Sequence, residues 1–400
     1  MKINYLLFAL LFSFQGMTFA QVLSREELSA KKEFTSIDEA LKTPSDVYRL
    51  NLSGQKLTEI PESITSFSNL NELILSKNEL TVFPEFILNL TNLQILNIDN
   101  NNILQLPQNI GNLVNLHTFN LSTNKLTSLP ESFGKLIHLT RLDLHYNNLR
   151  KLPESIGNLG SVELINLYVN DLEKLPNSFG NLSNLTDLYI SSNRLTKIPE
   201  SFGNLTQLRV LDLGDNQIYY LPESFGNLLR LEFLFLAENY ILKLPASIGQ
   251  LKELVEIDLS SNSLTMLPAS FGTLTSLKEL NLDLNKFTEF PSVILRLSQL
   301  ESLGLSYNMI SIIPENIDAL INLNSLTLDE NPIQTLPENF WKLTNLASLD
   351  LSGTLISIVP VKLAYLTKLQ ELDLSDMQLT QEQCESVKTY LVNPEVVVKF

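Results

Sequence analysis

Histidine and cysteine, the side chains that most often bind metals or act as nucleophiles, are scarce in this chain of 400 residues. The three histidines, His117, His138 and His145, fall at unrelated positions of the repeat described below, so they predict no common metal geometry. The single cysteine, Cys384, excludes a disulfide framework and a cysteine-based zinc site. No serine or threonine has a histidine partner at a predictable place, as a catalytic triad requires. The sequence therefore predicts a protein that is not an enzyme and has no metal or cofactor.

Carboxylates are the most abundant ionisable groups. The chain has 44 Asp and Glu against 28 Lys and Arg, for a formal charge of −16. This excess argues against binding of nucleic acid or anionic lipid, both of which need clustered basic residues. A weak calcium site near the C-terminal end is an open alternative to a plain solvated face there. Its candidate ligands are Asp329, Glu330, Asp350, Asp373 and Asp376.

A repeat of 23 residues, numbered here from position 1 at Leu70, must position these side chains. It runs without insertion from Val47 to Leu369, which gives 14 complete repeats and a partial fifteenth. Fourteen of the 17 prolines fall at position 15, and eight of the 14 glycines fall at position 19. Because one repeat cannot bury its own leucines, the repeats must stack and share a continuous core.

The repeat reads LxxLxLxxNxLxxLPxxxxxLxx, and it resembles the leucine-rich repeat family over more than four fifths of the chain. The LxxLxL part alternates apolar and polar residues, which predicts a short strand. The proline at position 15 ends the regular structure, because it has no N–H to donate. The resemblance implies an α/β fold class, a leucine-rich-repeat horseshoe with a parallel concave sheet and short irregular or helical convex segments.

Position 9 is asparagine in twelve consecutive repeats. A polar residue between apolar positions must be hydrogen-bonded when it is buried, and asparagine has both a donor and an acceptor. We therefore predict a structural ladder formed by Asn78, Asn101, Asn124, Asn147, Asn170, Asn193, Asn216, Asn239, Asn262, Asn285, Asn308 and Asn331. Gln55, Thr354 and Met377 replace asparagine at the ends of the solenoid, where each repeat has a neighbour on one side only.

The first twenty residues have the pattern of a signal peptide. Lys2 precedes an apolar run, and Thr18 and Ala20 place small residues before a cleavage site at Gln21. We predict a signal peptide at 1–20, an N-terminal helical cap at 21–46, the solenoid at 47–378 and a C-terminal helix-strand cap at 379–400. The sequence predicts no membrane span, since no later segment is apolar for long enough. The lack of cysteine-rich caps favours an exported bacterial member: secreted, on the cell surface or periplasmic.

Capping boxes are predicted in both caps, at Ser36 with Glu39 and at Thr380 with Gln383. The apolar face of the C-terminal helix would bury Cys384 as a small hydrophobic side chain rather than present a reactive thiol.

Positions 3, 5, 7 and 8 are predicted to point out of the strand side, the concave side that usually binds partners in this family. An apolar group with a polar rim lies there in the middle repeats, and such groups are common at interfaces. Stacking between neighbouring strands is the alternative explanation. We call the predicted binding residues the concave patch: Tyr146, Leu164, Tyr168, Tyr189, Asp212, Phe233, Phe235 and Asp258.

These features predict a non-catalytic exported scaffold that binds a protein or peptide through the concave face. Two alternatives stay open. Tyrosine faces beside carboxylates also suit sugars, so the chain could be a glycan or cell-wall binding module. The wording LPESFGNL at 221–228 resembles a Ras-associated intracellular repeat group, which would apply if the signal peptide is not used.

Overall fold

The computed structural model describes residues 23–400. The predicted signal peptide and its cleavage site lie outside the described residues. The described part contains one parallel sheet of seventeen strands, in which each strand pairs with the next one along the chain. The solenoid predicted from the repeat is therefore confirmed.

Sixteen of the strands have three residues each. The first strand, β1, has two. The strands are β1 (Glu33–Phe34), β2 (Arg49–Asn51), β3 (Glu72–Ile74), β4 (Ile95–Asn97), β5 (Thr118–Asn120), β6 (Arg141–Asp143), β7 (Leu164–Asn166), β8 (Asp187–Tyr189), β9 (Val210–Asp212), β10 (Phe233–Phe235), β11 (Glu256–Asp258), β12 (Glu279–Asn281), β13 (Ser302–Gly304), β14 (Ser325–Thr327), β15 (Ser348–Asp350), β16 (Glu371–Asp373) and β17 (Val397–Lys399). Within β3, Leu73 is buried while Glu72 and Ile74 face outward, as a period of two requires.

The chain returns from each strand through a short 3-10 helix that begins just after the proline of position 15 in most repeats. These segments are Glu62–Ser66, Glu85–Asn89, Ile110–Asn112, Glu131–Lys135, Glu154–Asn158, Asn177–Asn181, Glu200–Asn204, Glu223–Asn227, Ala246–Gln250, Ala269–Thr273, Ser292–Arg296, Glu315–Leu320, Glu338–Lys342 and Val361–Tyr365. At Gly180 an added Cβ would lie 2.0 Å from the carbonyl oxygen of Ser201 in the next repeat. Glycine at position 19 therefore lets the backbones of neighbouring return segments pack directly against each other.

A continuous apolar core lies between the sheet and the return segments. Leucines of positions 1, 4, 6, 11 and 21 are almost all fully buried. Phe179, Phe202 and Phe225 at position 18 stack on one another, with ring centroids 6.4 and 6.2 Å apart and nearly parallel planes. Each repeat therefore completes the core of its neighbours.

The position-9 asparagines lie buried beside this core, and each bonds to the backbone of two repeats. Asn147 is typical: its Nδ2 donates to the carbonyls of Leu121 and Leu144, and its Oδ1 accepts from the N–H of Leu126, all at 3.0 Å. Removing one such side chain leaves buried backbone groups without partners, which makes the row structural.

Short helices cover both ends of the described solenoid: α1 (Arg25–Ser29), α2 (Ile37–Ala40) and α3 (Gln381–Tyr390), with a further 3-10 turn at Pro44–Asp46. Thr380 and Gln383 form a reciprocal capping box at α3. At α2, Ser36 accepts from Glu39 N–H, but the Glu39 carboxylate turns away to Lys32, 2.8 Å from its Nζ. The reciprocal box of the N-terminal region lies instead at Ser24 and Glu27.

Candidate functional site

The outward face of the sheet is built from positions 3 and 5 of each strand. These side chains flank one buried residue and are partly exposed in most strands, as in β9 and β10. Positions 7 and 8 continue the face beyond the strand ends. Serines at position 7, among them Ser122 and Ser191, are buried although this position was predicted to point outward. The Ser191 hydroxyl donates to the Asp212 carboxylate of the next repeat.

Position 8 has a left-handed backbone in every repeat from Lys77 to Asp376. Tyr146 has a φ of +51° and Val169 a φ of +52°. This conformation turns the side chain of position 8 outward, beside that of position 7. It is unfavourable for a β-branched residue such as Val169.

Tyr146 and Tyr168 form the first aromatic group of the concave patch. Their ring centroids lie 5.5 Å apart in an edge-to-face arrangement, and the two residues are 49% and 36% exposed. His145 packs against Tyr146 at 5.5 Å, and its Nδ1 lies 2.5 Å from Asp143 Oδ1. A pair of exposed rings held by a hydrogen-bonded neighbour is a preformed contact surface.

Phe233 and Phe235 form the second aromatic group, on β10. Phe233 lies beside Val210 in the sheet, and Phe235 lies between Asp212 and Asp258. Every one of these side chains is partly exposed. This group is an apolar ridge with a carboxylate on each side.

The structure does not join the whole concave patch into one apolar surface. Leu164 is separated from Val210 by Asp187, and Tyr189 is separated from Phe235 by Asp212. Burial, followed by Asp187 and Asp212, raises the pKa of the Tyr189 hydroxyl. Carboxylates therefore divide the patch into two aromatic groups.

A hollow that sequence reasoning missed lies next to the second group. It has a volume of about 240 Å³, and Gly304 at position 5 of β13 leaves it open. Its walls are Glu256, Asp258, Glu279, Asn281, Asp283, Ser302, Ser325 and Thr327 with the strand backbones between them. The available signal was a glycine at a position that carries a side chain in every other repeat.

Comparison with known proteins decides the family. Models described as leucine-rich repeat region match residues 132–216 and 199–300, and models described as leucine rich repeat match 91–149 and 321–379. A leucine-rich repeat protein of Leptospira interrogans is 33% identical, covers 92% of this chain and 100% of its own, and superposes with a TM-score of 0.83. The chain belongs to the leucine-rich repeat family. No curated protein matches its sequence.

Other solved leucine-rich repeat structures are similar to it at lower identity. The plant peptide hormone receptor RGFR1 in complex with RGF2 is 30% identical, with 82% of this chain and 59% of that chain covered and a TM-score of 0.67. An internalin of Listeria monocytogenes is 25% identical, with 78% and 88% covered and a TM-score of 0.67.

The described residues of this leucine-rich repeat protein hold no group of three or more His, Cys, Asp or Glu arranged to bind a metal ion. The acidic residues near the C-terminal end, Asp329 to Asp376, lie within this range. Within residues 23–400, none of the helices has the length and apolarity needed to cross a bilayer.

Proposed function

We propose that this leucine-rich repeat protein is an exported, non-catalytic scaffold that binds a protein or peptide on its concave face. The observation that carries the proposal is the pair of aromatic groups, Tyr146 with Tyr168 and Phe233 with Phe235, held half-exposed on a rigid sheet. Aromatic side chains on a fixed backbone lose little entropy on binding and are common interface anchors.

The structural neighbours support this choice among binding functions. One of them is a plant peptide hormone receptor solved in complex with RGF2, and its aligned part is 30% identical to this chain. A sheet whose outward positions vary while its core positions repeat can change its partner without changing its fold.

Site-specific crosslinking tests where the partner lies. A photoreactive amino acid replaces Tyr168 or Phe235 in the native host, and in a control it replaces Tyr240. Tyr240 is more exposed than either residue but follows the ladder asparagine, away from the outward strand positions. We expect one crosslinked species from the two concave positions and none from Tyr240. Equal crosslinking from all three would refute a concave site.

The affinity of that species is then measured for Tyr168→Ala/Phe233→Ala/Phe235→Ala and for a control, Tyr219→Ala/Tyr240→Ala. The control removes a stacked tyrosine pair, 5.4 Å between centroids, from the flank. The proposal is supported if the first variant loses affinity for the crosslinked species and the second variant retains it. A crosslinked species that consists of glycan would favour the glycan-binding alternative.

Export rests on the sequence of residues 1–20 and is tested separately. We expect protein from the native host to begin at Gln21 and to lie outside the cytoplasm. Mass spectrometry of the intact N-terminus after cell fractionation measures both. Cytoplasmic protein that retains Met1–Ala20 would favour the intracellular alternative.

A further inference from the structure

The outward positions of the C-terminal two thirds of the sheet are acidic and contain no basic residue. From Leu164 to Asp376, positions 3, 5, 7 and 8 include no Lys or Arg. The same positions hold Asp187, Asp212, Asp215, Glu238, Glu256, Asp258, Glu279, Asp283, Asp329, Glu330, Asp350, Glu371, Asp373 and Asp376. Among residues 23–400, only Asp373 of these forms an ion pair, at 3.0 Å from Lys399. The concave face therefore has an uncompensated negative potential.

The hollow at Gly304 concentrates this charge. The Asp283 and Asn281 side chains lean over Gly304, where an added Cβ would lie 2.7 and 2.8 Å from their Oδ1 atoms. Glu256 and Glu279 form neighbouring walls on adjacent strands. The wall of the hollow thus has four carboxylates and no Lys, Arg or His.

Two further observations describe the polar groups of this hollow. The Thr327 hydroxyl oxygen is fully buried and has no hydrogen-bond partner within the described part of the chain. Burial raises the pKa of Asp283 to about 6, with Asp329 and Asp258 adding to the rise, although Ser306 N–H donates to it at 2.7 Å. Burial and then Glu279 and Asp258 likewise raise the pKa of Glu256.

We propose that the partner is a cationic peptide segment that places a lysine or arginine side chain in the Gly304 hollow and an apolar side chain on Phe233 and Phe235. This inference rests on the proposed concave-face binding and adds the chemistry of the partner. A guanidinium or ammonium group supplies only donors and a positive charge, which complement the carboxylates of Glu256, Asp258, Glu279 and Asp283 in the wall of the hollow.

The strand spacing predicts the sequence pattern of this segment. Phe233 and Phe235 lie on β10 and Gly304 lies on β13, three strands further along. Three spacings of about 4.8 Å separate the two contacts by roughly 14 Å, which an extended peptide spans in about four residues. The apolar and the basic residue should therefore be about four positions apart.

A displayed library of random linear peptides is the probe, selected on wild-type protein and counter-selected on Phe233→Ala/Phe235→Ala. We expect the recovered peptides to be enriched in Lys or Arg about four positions from an apolar residue. Their synthetic forms should bind at least about tenfold less tightly, by fluorescence anisotropy, to Glu256→Gln/Glu279→Gln/Asp283→Asn. Binding should also weaken with added salt.

The matched control removes the same charge from the return segments, in Glu131→Gln/Glu154→Gln/Glu200→Gln. Circular dichroism shows whether each variant is folded. Retained affinity in this control supports a local site, and an equal loss in both triple variants overturns it. If the recovered peptides depend on Phe233 and Phe235 but are not enriched in Lys or Arg, the proposed function stands and the cationic partner is overturned. If no recovered peptide depends on Phe233 and Phe235, the cationic-peptide proposal fails, and the crosslinking experiment decides the concave-face function separately.

Discussion

Replacing Asp283 by asparagine should stabilise the protein at neutral pH, although the residue lies on the surface we assign to binding. Asparagine has nearly the same shape, and its Oδ1 can still accept the hydrogen bond from Ser306 N–H at 2.7 Å. The substitution therefore removes the charge and little else.

The magnitude follows from the raised pKa. The Asp283 carboxyl has a pKa of about 6 in the folded protein against 3.8 without the protein environment. Each pKa unit corresponds to about 1.4 kcal/mol, so the full shift would correspond to about 3 kcal/mol. Because Asp283 is only half-buried, solvent screens part of this, and we expect Asp283→Asn to gain about 1–2 kcal/mol.

The direction of the pKa shift determines how the stability of the protein depends on pH. A raised pKa means that the folded state binds more protons than the unfolded state, so the wild type loses stability as the pH rises from about 4 to about 6. Well below that window Asp283 is protonated in both states. The advantage of Asp283→Asn should therefore be small at pH 4 and complete at pH 7.5.

Denaturant unfolding followed by circular dichroism at the two pH values measures the difference. Asp373→Asn is the matched control, since it removes the same charge from the same face. Burial opposes the charge of Asp373, but hydrogen bonds from Ser375 and Lys399 outweigh it and lower its pKa. That control should lose stability at neutral pH. A gain for Asp283→Asn that is equal at both pH values, or no gain at all, would refute the reasoning.

Four further outcomes follow from the geometry. Asn193→Ala should destabilise the fold by about 3 kcal/mol, since it leaves three buried backbone groups without partners. Gly180→Ala should cost several kcal/mol, because its Cβ would collide with Ser201. Val169→Asn should gain about 1 kcal/mol by relieving a left-handed β-branched residue. Peptide affinity should rise up to about tenfold from pH 5 to pH 7 as Asp283 ionises beside Asp258 and Asp329.

Denaturant unfolding measures the first three, and anisotropy titrations measure the fourth. Surface controls are Ser261→Ala for the ladder and Gly160→Ala for the glycine, where an added Cβ meets no atom within 4 Å. If Asn193→Ala lowers the free energy of unfolding no more than Ser261→Ala does, the hydrogen bonds do not explain the effect of the ladder. Loss of stability in Val169→Asn would mean that valine packing outweighs the strain. The pH effect should vanish in Asp283→Asn, and its persistence there would assign it to another group.

The fold could be predicted because each repeat determines its own inward and outward residues. A period of two over three strand residues, a proline and a glycine at set positions are local signals, and stacking repeats them. The Ser36 capping box was less predictable, because Lys32 competes for the Glu39 carboxylate. Competition of that kind depends on side chains that meet only after folding.

The site was less accessible to sequence reasoning for a related reason. The outward residues could be named, but which of them touch depends on neighbours 23 residues away. Asp187 and Asp212 divide the apolar residues of the concave patch, which reads as one group when the sequence is scanned for aromatics. The hollow arises from the missing side chain of Gly304 together with side chains on four strands.

The stability cost of Asp283 and the binding of the proposed cationic partner both depend on the charge of one carboxylate. The neighbouring repeats have an uncharged serine at position 7, Ser260 and Ser306. An aspartate there, half-buried beside Asp258 and Asp329, raises the free energy of the unbound protein. A cationic side chain in the Gly304 hollow would remove that penalty on binding, so the cost in the free state becomes a gain in affinity. If Asp283→Asn is more stable and yet binds the selected peptides less tightly, the two effects have one origin in the same carboxylate.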